Sequence, residues 1–244
     1  MLTFRRTFTF LIFMLPLYLD AKELRLCGVA WPPYTLAENG KIVGGLSHEV
    51  YTEAFKRLDI SWTADEVPWA RCLMYVKMGR YDAVIDNAPL EPFITGRNPT
   101  AHYALAIYVR SDFPQNEFSW EMLRGKVIGV VRGYDYTKSI RDFDGWIKEP
   151  ATTDELMLLK LHAKRYDYVL LDVYSASSMS EKTGVPIKML TPLVDSTNLY
   201  LAFNSANKKH ALKYDQVISE MIKDGTMDLI YRSHFSFTYK NLFK

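Results

Sequence analysis

The sequence predicts an α/β protein of two lobes, each a mainly parallel sheet flanked by helices. Three observations carry that expectation. Strand-like and helix-like segments alternate from the first strand onward, the pattern of a layered parallel sheet. A helix-to-strand unit, "RYDAVID" at Arg80–Asp86, returns 85 residues later as "RYDYVLLD" at Arg165–Asp172. Hydrophobic residues make up 48% of the 244 positions and charged residues 24%, a mix that excludes disorder and suits one large domain or two small ones.

Residues 1–21, "MLTFRRTFTFLIFMLPLYLDA", have the layout of a secretory leader: Arg5 and Arg6, an apolar run from Phe8 to Leu19, then Ala21. The run is short for a membrane span and holds Pro16. The remaining 223 residues begin with "ELRLCGVA", a strand that stops at the two prolines of "WPPY". "GGLSHEVYTEAFKRL" is a helix, because Leu46, Val50, Ala54 and Leu58 recur every four residues. "ISWTADEV" is a short strand. Pro68 opens the helix "WARCLMYVKM", and Gly79 closes it. "YDAVID" follows as a strand. "HYALAIYVRSD" and "KVIGVVRG" are further strands, and "DYTKSIRDF" opens a helix. "TTDELMLLKLHAK" is a helix in which Thr152 and Glu155 have capping-box spacing and Leu156, Leu159 and Ala163 share a face. "YDYVLLD" and "TPLVDSTNLYLAF" supply strands. The end reads as a long helix, a glycine break and a shorter helix. With no low-complexity linker, the lobes must be joined by short crossings, expected at Val109–Phe113 and Leu193–Leu199. The first lobe then comprises 22–109 and 195–244, and the second 110–194.

Removing the leader takes the net charge from +2 to +1, so the chain carries no electrostatic footprint for nucleic acid or an anionic membrane. Cys27 and Cys72 are the only cysteines. In an exported chain a disulfide between them is the expected state, with two buried free thiols as the alternative. The five histidines have no metal-ligand spacing, and no P-loop or G-x-S-x-G elbow is present. No cofactor is expected.

The segments "WPPYTLAENGKIVGGLSHEVYTEAFKRL", "VPWARCLMYVKMGRYDAVID", "LRGKVIGVVRGY", "YDYVLLD" and "IKDGTMDLIYR", in this order, resemble the bacterial extracellular solute-binding proteins of family 3. The resemblance implies the type II periplasmic-binding fold and a location in the periplasm. It also implies a small polar solute, an amino acid or related compound, caught by hinge closure and delivered by a monomer to an inner-membrane ABC permease. Two other functions fit the same fold. One is an exported enzyme similar to a cyclohexadienyl dehydratase, with Asp172 or Glu91 as acid or base; the other is a periplasmic sensor module. The chain departs from the family in one place. The Thr-x-x-Arg segment whose arginine grips an α-carboxylate is missing from "NAPLEPFITGRNPT", and Arg97 is out of register.

Candidate site residues follow from strand ends and from the resemblance. In open α/β sheets ligands bind beyond the carboxyl ends of strands, where both "RYD" units place an aspartate. Asp172 corresponds to the family's acid for a ligand ammonium, and Tyr34 to an aromatic that flanks the ligand. Trp69 offers contact area at a helix start, with core packing as the alternative for both aromatics. Arg71, and Arg132 with Tyr134 in the turn "RGYDYT", compete to hold an anionic group. Asp86 and Asn87 belong to the same rim.

Overall fold

A computed structural model describes residues 23–134 and 136–243; the leader read at 1–21 lies outside the described residues. The first lobe opens with β1 (Leu24–Gly28), β2 (Leu36–Glu38), β3 (Lys41–Gly44), α1 (Leu46–Leu58), β4 (Trp62–Glu66), α2 (Trp69–Lys77) and β5 (Ala83–Asn87). The long strand β6 (Ala101–Arg110) leads into the second lobe. There β7 (Val127–Val131), α3 (Lys138–Asp142), β8 (Ile147–Ala151), α4 (Asp154–His162), β9 (Tyr168–Asp172), α5 (Ala176–Thr183) and β10 (Ile187–Met189) follow. A second long strand, β11 (Asp195–Phe203), returns the chain to α6 (Lys208–Lys223), α7 (Thr226–His234) and α8 (Tyr239–Leu242).

The strands run in the order β2-β3-β4-β1-β5-β11-β6-β9-β7-β8, with β10 beside β6. The repeated sequence unit has a structural meaning here. β5 lies parallel to β1 on one side and antiparallel to β11 on the other. β9 lies parallel to β7 on one side and antiparallel to β6 on the other. Each "RYD" strand is therefore the inner strand of its lobe, next to a strand that passes between lobes. In matched register, Ala83 corresponds to Tyr168 and Val84 to Val169, so the last residues, Asn87 and Asp172, are counterparts.

The two passing strands pair with each other from Leu105↔Asp195 to Ala101↔Leu199. Beyond that stretch β6 pairs with β9 and β10, while β11 pairs with β5 through a bulge between Tyr200 and Ala202. Val109–Phe113 falls at the far end of β6, where Arg110 pairs with Ile187. The passage between sheets is made by two continuous strands: β6 is buried along nearly its whole length, whereas β11 enters through the polar Asp195–Asn198, within the expected Leu193–Leu199.

Several elements differ from expectation for identifiable reasons. Asn39 and Gly40, at φ 50° and 76°, turn the β2–β3 hairpin; Asn-Gly is the ordinary signal for such a turn. β8 contains Pro150 and occupies the sheet edge, where a missing N–H is tolerated. The cap of α4 is Thr153, not Thr152, and its hydroxyl accepts the Leu156 N–H at 3.2 Å. The buried face is accordingly Asp154, Met157, Leu158 and Leu161, whereas Leu156 and Leu159 are exposed. A helix apolar on nearly every side gives periodicity little to distinguish. Cys27 and Cys72 are disulfide-bonded, with Cα atoms 5.8 Å apart, tying the start of α2 to β1.

Candidate ligand cleft

Between the lobes lies a cleft with about 510 Å³ of atom-free space, its mouth included. Four aromatic side chains wall it: Trp31 from the turn after β1, Trp69 from the first turn of α2, Tyr103 from β6 and Tyr134 from the turn after β7. Their rings touch edge to face in sequence. Trp31 meets Tyr103 at 5.6 Å, Tyr103 meets Tyr134 at 6.5 Å, and Tyr134 meets Trp69 at 6.2 Å between centroids. Such contacts place ring edges against ring faces, the favourable arrangement of aromatic quadrupoles, while Tyr34 stacks on one face of Trp31. Val29, Ile85, Ala88 and Leu199 complete the apolar lining, and Thr35 contributes beside Trp31.

The lobes meet along one side of this cleft. Gly133 packs so closely on Ala70 that a Cβ would stand 3.2 Å from the alanine Cβ, and its φ of 81° favours glycine. The same contact brings Tyr134 onto Trp69. Tyr134 is fixed from behind, because its hydroxyl donates to the buried carboxylate of Asp154 at 2.8 Å.

Two polar groups from the end of β5 face the cleft. Asp86 sits at φ 54°, a left-handed conformation that aspartate adopts more readily than most residues. Its carboxylate accepts from the Ser47 hydroxyl at 2.7 Å and the Tyr51 hydroxyl at 2.8 Å, both on α1. Burial pushes its carboxyl up to about 6. Asn87 is completely buried, yet neither its amide nitrogen nor its amide oxygen has a hydrogen-bond partner among the described residues. Trp69 Nε1 is likewise buried without a partner. Buried polar atoms are nearly always satisfied, so two unpaired side chains on one cleft stand out, although Thr100, Trp146 and Tyr214 also carry such atoms elsewhere.

The expected site residues divide into two groups. Trp69, Asn87, Tyr134 and Asp86 are brought together on the cleft. Tyr34 and Asp172 come near each other but behind it. Tyr34 is fully buried, stacks on Trp31 at 4.3 Å, and donates to the His102 carbonyl at 2.7 Å. It is enclosed with Tyr174 and Phe235 in an aromatic cluster that the C-terminal segment lays across the rear. Asp172 is 2% exposed; its carboxylate accepts N–H groups of Tyr174 and Ser175 at 2.9 Å and of Ala104 at 3.2 Å. Burial pushes its carboxyl up to about 8, against the opposite pull of those three donors. Arg71 and Arg132 are exposed and do not line the cleft. Arg97 pairs with Asp215 at 3.1 Å, far from any ligand role in the cleft. Glu91 is exposed on the segment after β5. Among the described residues no basic side chain lines the cleft, and no group of three His, Cys, Asp or Glu could hold a metal. Trp31 and Tyr103 were absent from the expected set. Trp31 opens the "WPPY" turn, in which the resemblance points to Tyr34; Tyr103 lies inside an apolar strand with nothing local to separate it from core.

The profile of the bacterial extracellular solute-binding proteins, family 3, matches residues 26–237. No curated protein is matched by sequence. Similar solved structures include the P235GK mutant of ArgBP from T. maritima, with 21% identity over 88% of this chain and 95% of that one and a TM-score of 0.76. A putative L-cystine ABC transporter protein from Listeria monocytogenes is 16% identical over 88% and 97%, with a TM-score of 0.74. A chain from the work on glutathione import via GshT and the cystine importer TcyBC of Streptococcus mutans is 18% identical over 89% and 96%, with a TM-score of 0.76. At these identities the likeness is one of fold, the two-lobed type II periplasmic-binding arrangement.

Proposed function

The chain belongs to the bacterial extracellular solute-binding proteins of family 3, and from that premise we propose that it captures a small polar solute in the inter-lobe cleft and hands it to an ABC-type importer. The observation that carries this reading is Asn87. A buried amide with both polar atoms unpartnered destabilises the empty protein by about 1–3 kcal/mol. Its place at the floor of an aromatic cleft, where a solute would satisfy it, accounts for that cost. The walls come from both lobes, so a solute bound to all of them favours the closed arrangement over the open one.

In this reading the hinge is the paired stretch of β6 and β11, Ala101–Leu105 against Asp195–Leu199. The lobes are then residues 23–100 with 200–243, and 106–194. The protein works outside the cytoplasm, in the periplasm of a cell that has one, as a monomer whose partner is the membrane permease. It is a binder and not an enzyme. A thermal-shift screen against amino acids, amines and organic acids tests the proposal. A saturating solute at a hundredfold excess over Kd should stabilise by about 2.7 kcal/mol and be recovered chemically unchanged. No stabilisation by any class, or recovery of an altered compound, would overturn it.

A further inference from the structure

We infer that the solute is a small organic cation without a carboxylate group, its ammonium or guanidinium held against the aromatic wall and the end of β5. This rests on the reading of the cleft as the solute site and names the chemistry of what it takes. The first argument is what the cleft lacks. A carboxylate taken out of water is held best by a fixed positive partner, and no basic side chain among the described residues lines this space. Arg71 and Arg132 are exposed beside the Ala70–Gly133 contact and are not among the lining residues, and Arg97 pairs with Asp215. The second argument is what surrounds it. Asp86 lines the cleft, and Asp154 stands directly behind the Tyr134 hydroxyl. Neither carboxylate has a cationic side-chain partner among the described residues; their side-chain bonds go to hydroxyls.

The third argument is the wall itself. Trp31, Trp69, Tyr103 and Tyr134 are the side chains whose π faces attract a desolvated organic cation, tryptophan most strongly. A cationic solute would bring to this site the one charge it does not contain. Asn87 Oδ1 is placed to accept from a cationic N–H, and Asn87 Nδ2 and Trp69 Nε1 remain to bind an uncharged oxygen on the same molecule.

Calorimetry on the purified protein with two matched pairs of probes decides the question. Agmatine and arginine share a guanidinium and differ by the carboxylate. Choline and 3,3-dimethylbutan-1-ol share a shape and differ by the charge. At least one cation, agmatine or choline, should bind one to one, and on the order of tenfold or more tighter than its matched counterpart. Trp69→Leu, with its fold checked by circular dichroism, should weaken that cation by a similar factor. The inference is overturned if arginine binds as tightly as agmatine, if the neutral alcohol binds as tightly as choline, or if neither cation binds. Should arginine or another amino acid bind one to one while both cations fail, solute capture stands and the cation reading falls. Should nothing in the wider screen bind, both fall.

Discussion

Replacing Asn87 by leucine should make the empty protein more stable while removing its ability to hold a solute. The amide is fully buried with both polar atoms unpartnered, so the folded state carries an uncompensated desolvation cost of about 1–3 kcal/mol. Leucine has the same branched heavy-atom skeleton with somewhat larger branches, and its side chain would extend toward the apolar Val29, Ile85 and Leu199 that share the lining. A gain of about 2 kcal/mol raises Tm by roughly 4–8 °C in a chain of this size. Urea unfolding followed by tryptophan fluorescence gives the free-energy difference directly, and parallel calorimetry with the solute found by screening gives the affinity. The expected pair of results is a higher urea midpoint at unchanged slope and a loss of binding. Most buried polar-to-apolar changes that break a network destabilise instead. If Asn87→Leu is less stable than the parent by 1 kcal/mol or more, the amide serves the fold and the argument for a prepared site fails.

Other predictions follow from the same geometry. Gly133→Val should weaken solute binding and enlarge the radius of gyration of the liganded protein in solution scattering, because a Cβ at that position meets Ala70 at 3.2 Å and φ is 81°; an unchanged radius and affinity would show that the lobes need not meet there. Removing the Cys27–Cys72 disulfide by paired alanine substitution should lower stability by roughly 2–4 kcal/mol, from the entropy of the 45-residue loop it closes; alkylation of two thiols in unreduced parent protein would contradict the bond itself. The stability of the empty protein should fall as pH rises. The carboxyls of Asp86 and Asp154 are raised to about 6 and that of Asp172 to about 8, so between pH 4 and 8 the folded state keeps protons that the unfolded chain has released. Their contribution is complete below pH 4 and is lost through pH 6 and then pH 8. The titratable groups facing Asp172 are tyrosines, Tyr34, Tyr103, Tyr108 and Tyr174, all raised and uncharged across this range. Asp172→Asn should flatten the upper part of the profile, and an unaltered slope between pH 6 and 8 would locate the titration elsewhere.

The architecture was legible where sequence periodicity and topology coincide. The two "RYD" units lie in equivalent strands because each must place an apolar run between a parallel neighbour and a strand shared with the other lobe. The sequence pairs Asp86 with Asp172 as the aspartates that end the two units, whereas in register it is Asn87 that corresponds to Asp172; Asn87 faces the cleft and Asp172 is sealed behind it. The difference lies in what covers them. Asp172 is roofed by the Tyr34–Tyr174–Phe235 cluster, assembled from three distant parts of the chain, and such long-range packing leaves no local trace. Val109–Phe113 lies at the far end of β6, a continuous, largely apolar strand whose pattern singles out no residue, whereas Leu193–Leu199 overlaps the stretch of β11 that pairs with β6. Tyr103 was invisible for the same reason. The resemblance shows that "NAPLEPFITGRNPT" lacks the Thr-x-x-Arg segment, and it left Arg71 or Arg132 to supply positive charge; neither is among the residues that line the cleft.

Hydrogen–deuterium exchange with and without the best solute from the screen tests solute capture between the lobes most directly. The account predicts simultaneous protection at Val29–Thr35 and Ile85–Ala88 in the first lobe and at Arg132–Tyr134 in the second, with Asn87→Leu abolishing all three together. Protection confined to one lobe, or to a face away from Trp69 and Tyr134, would contradict it.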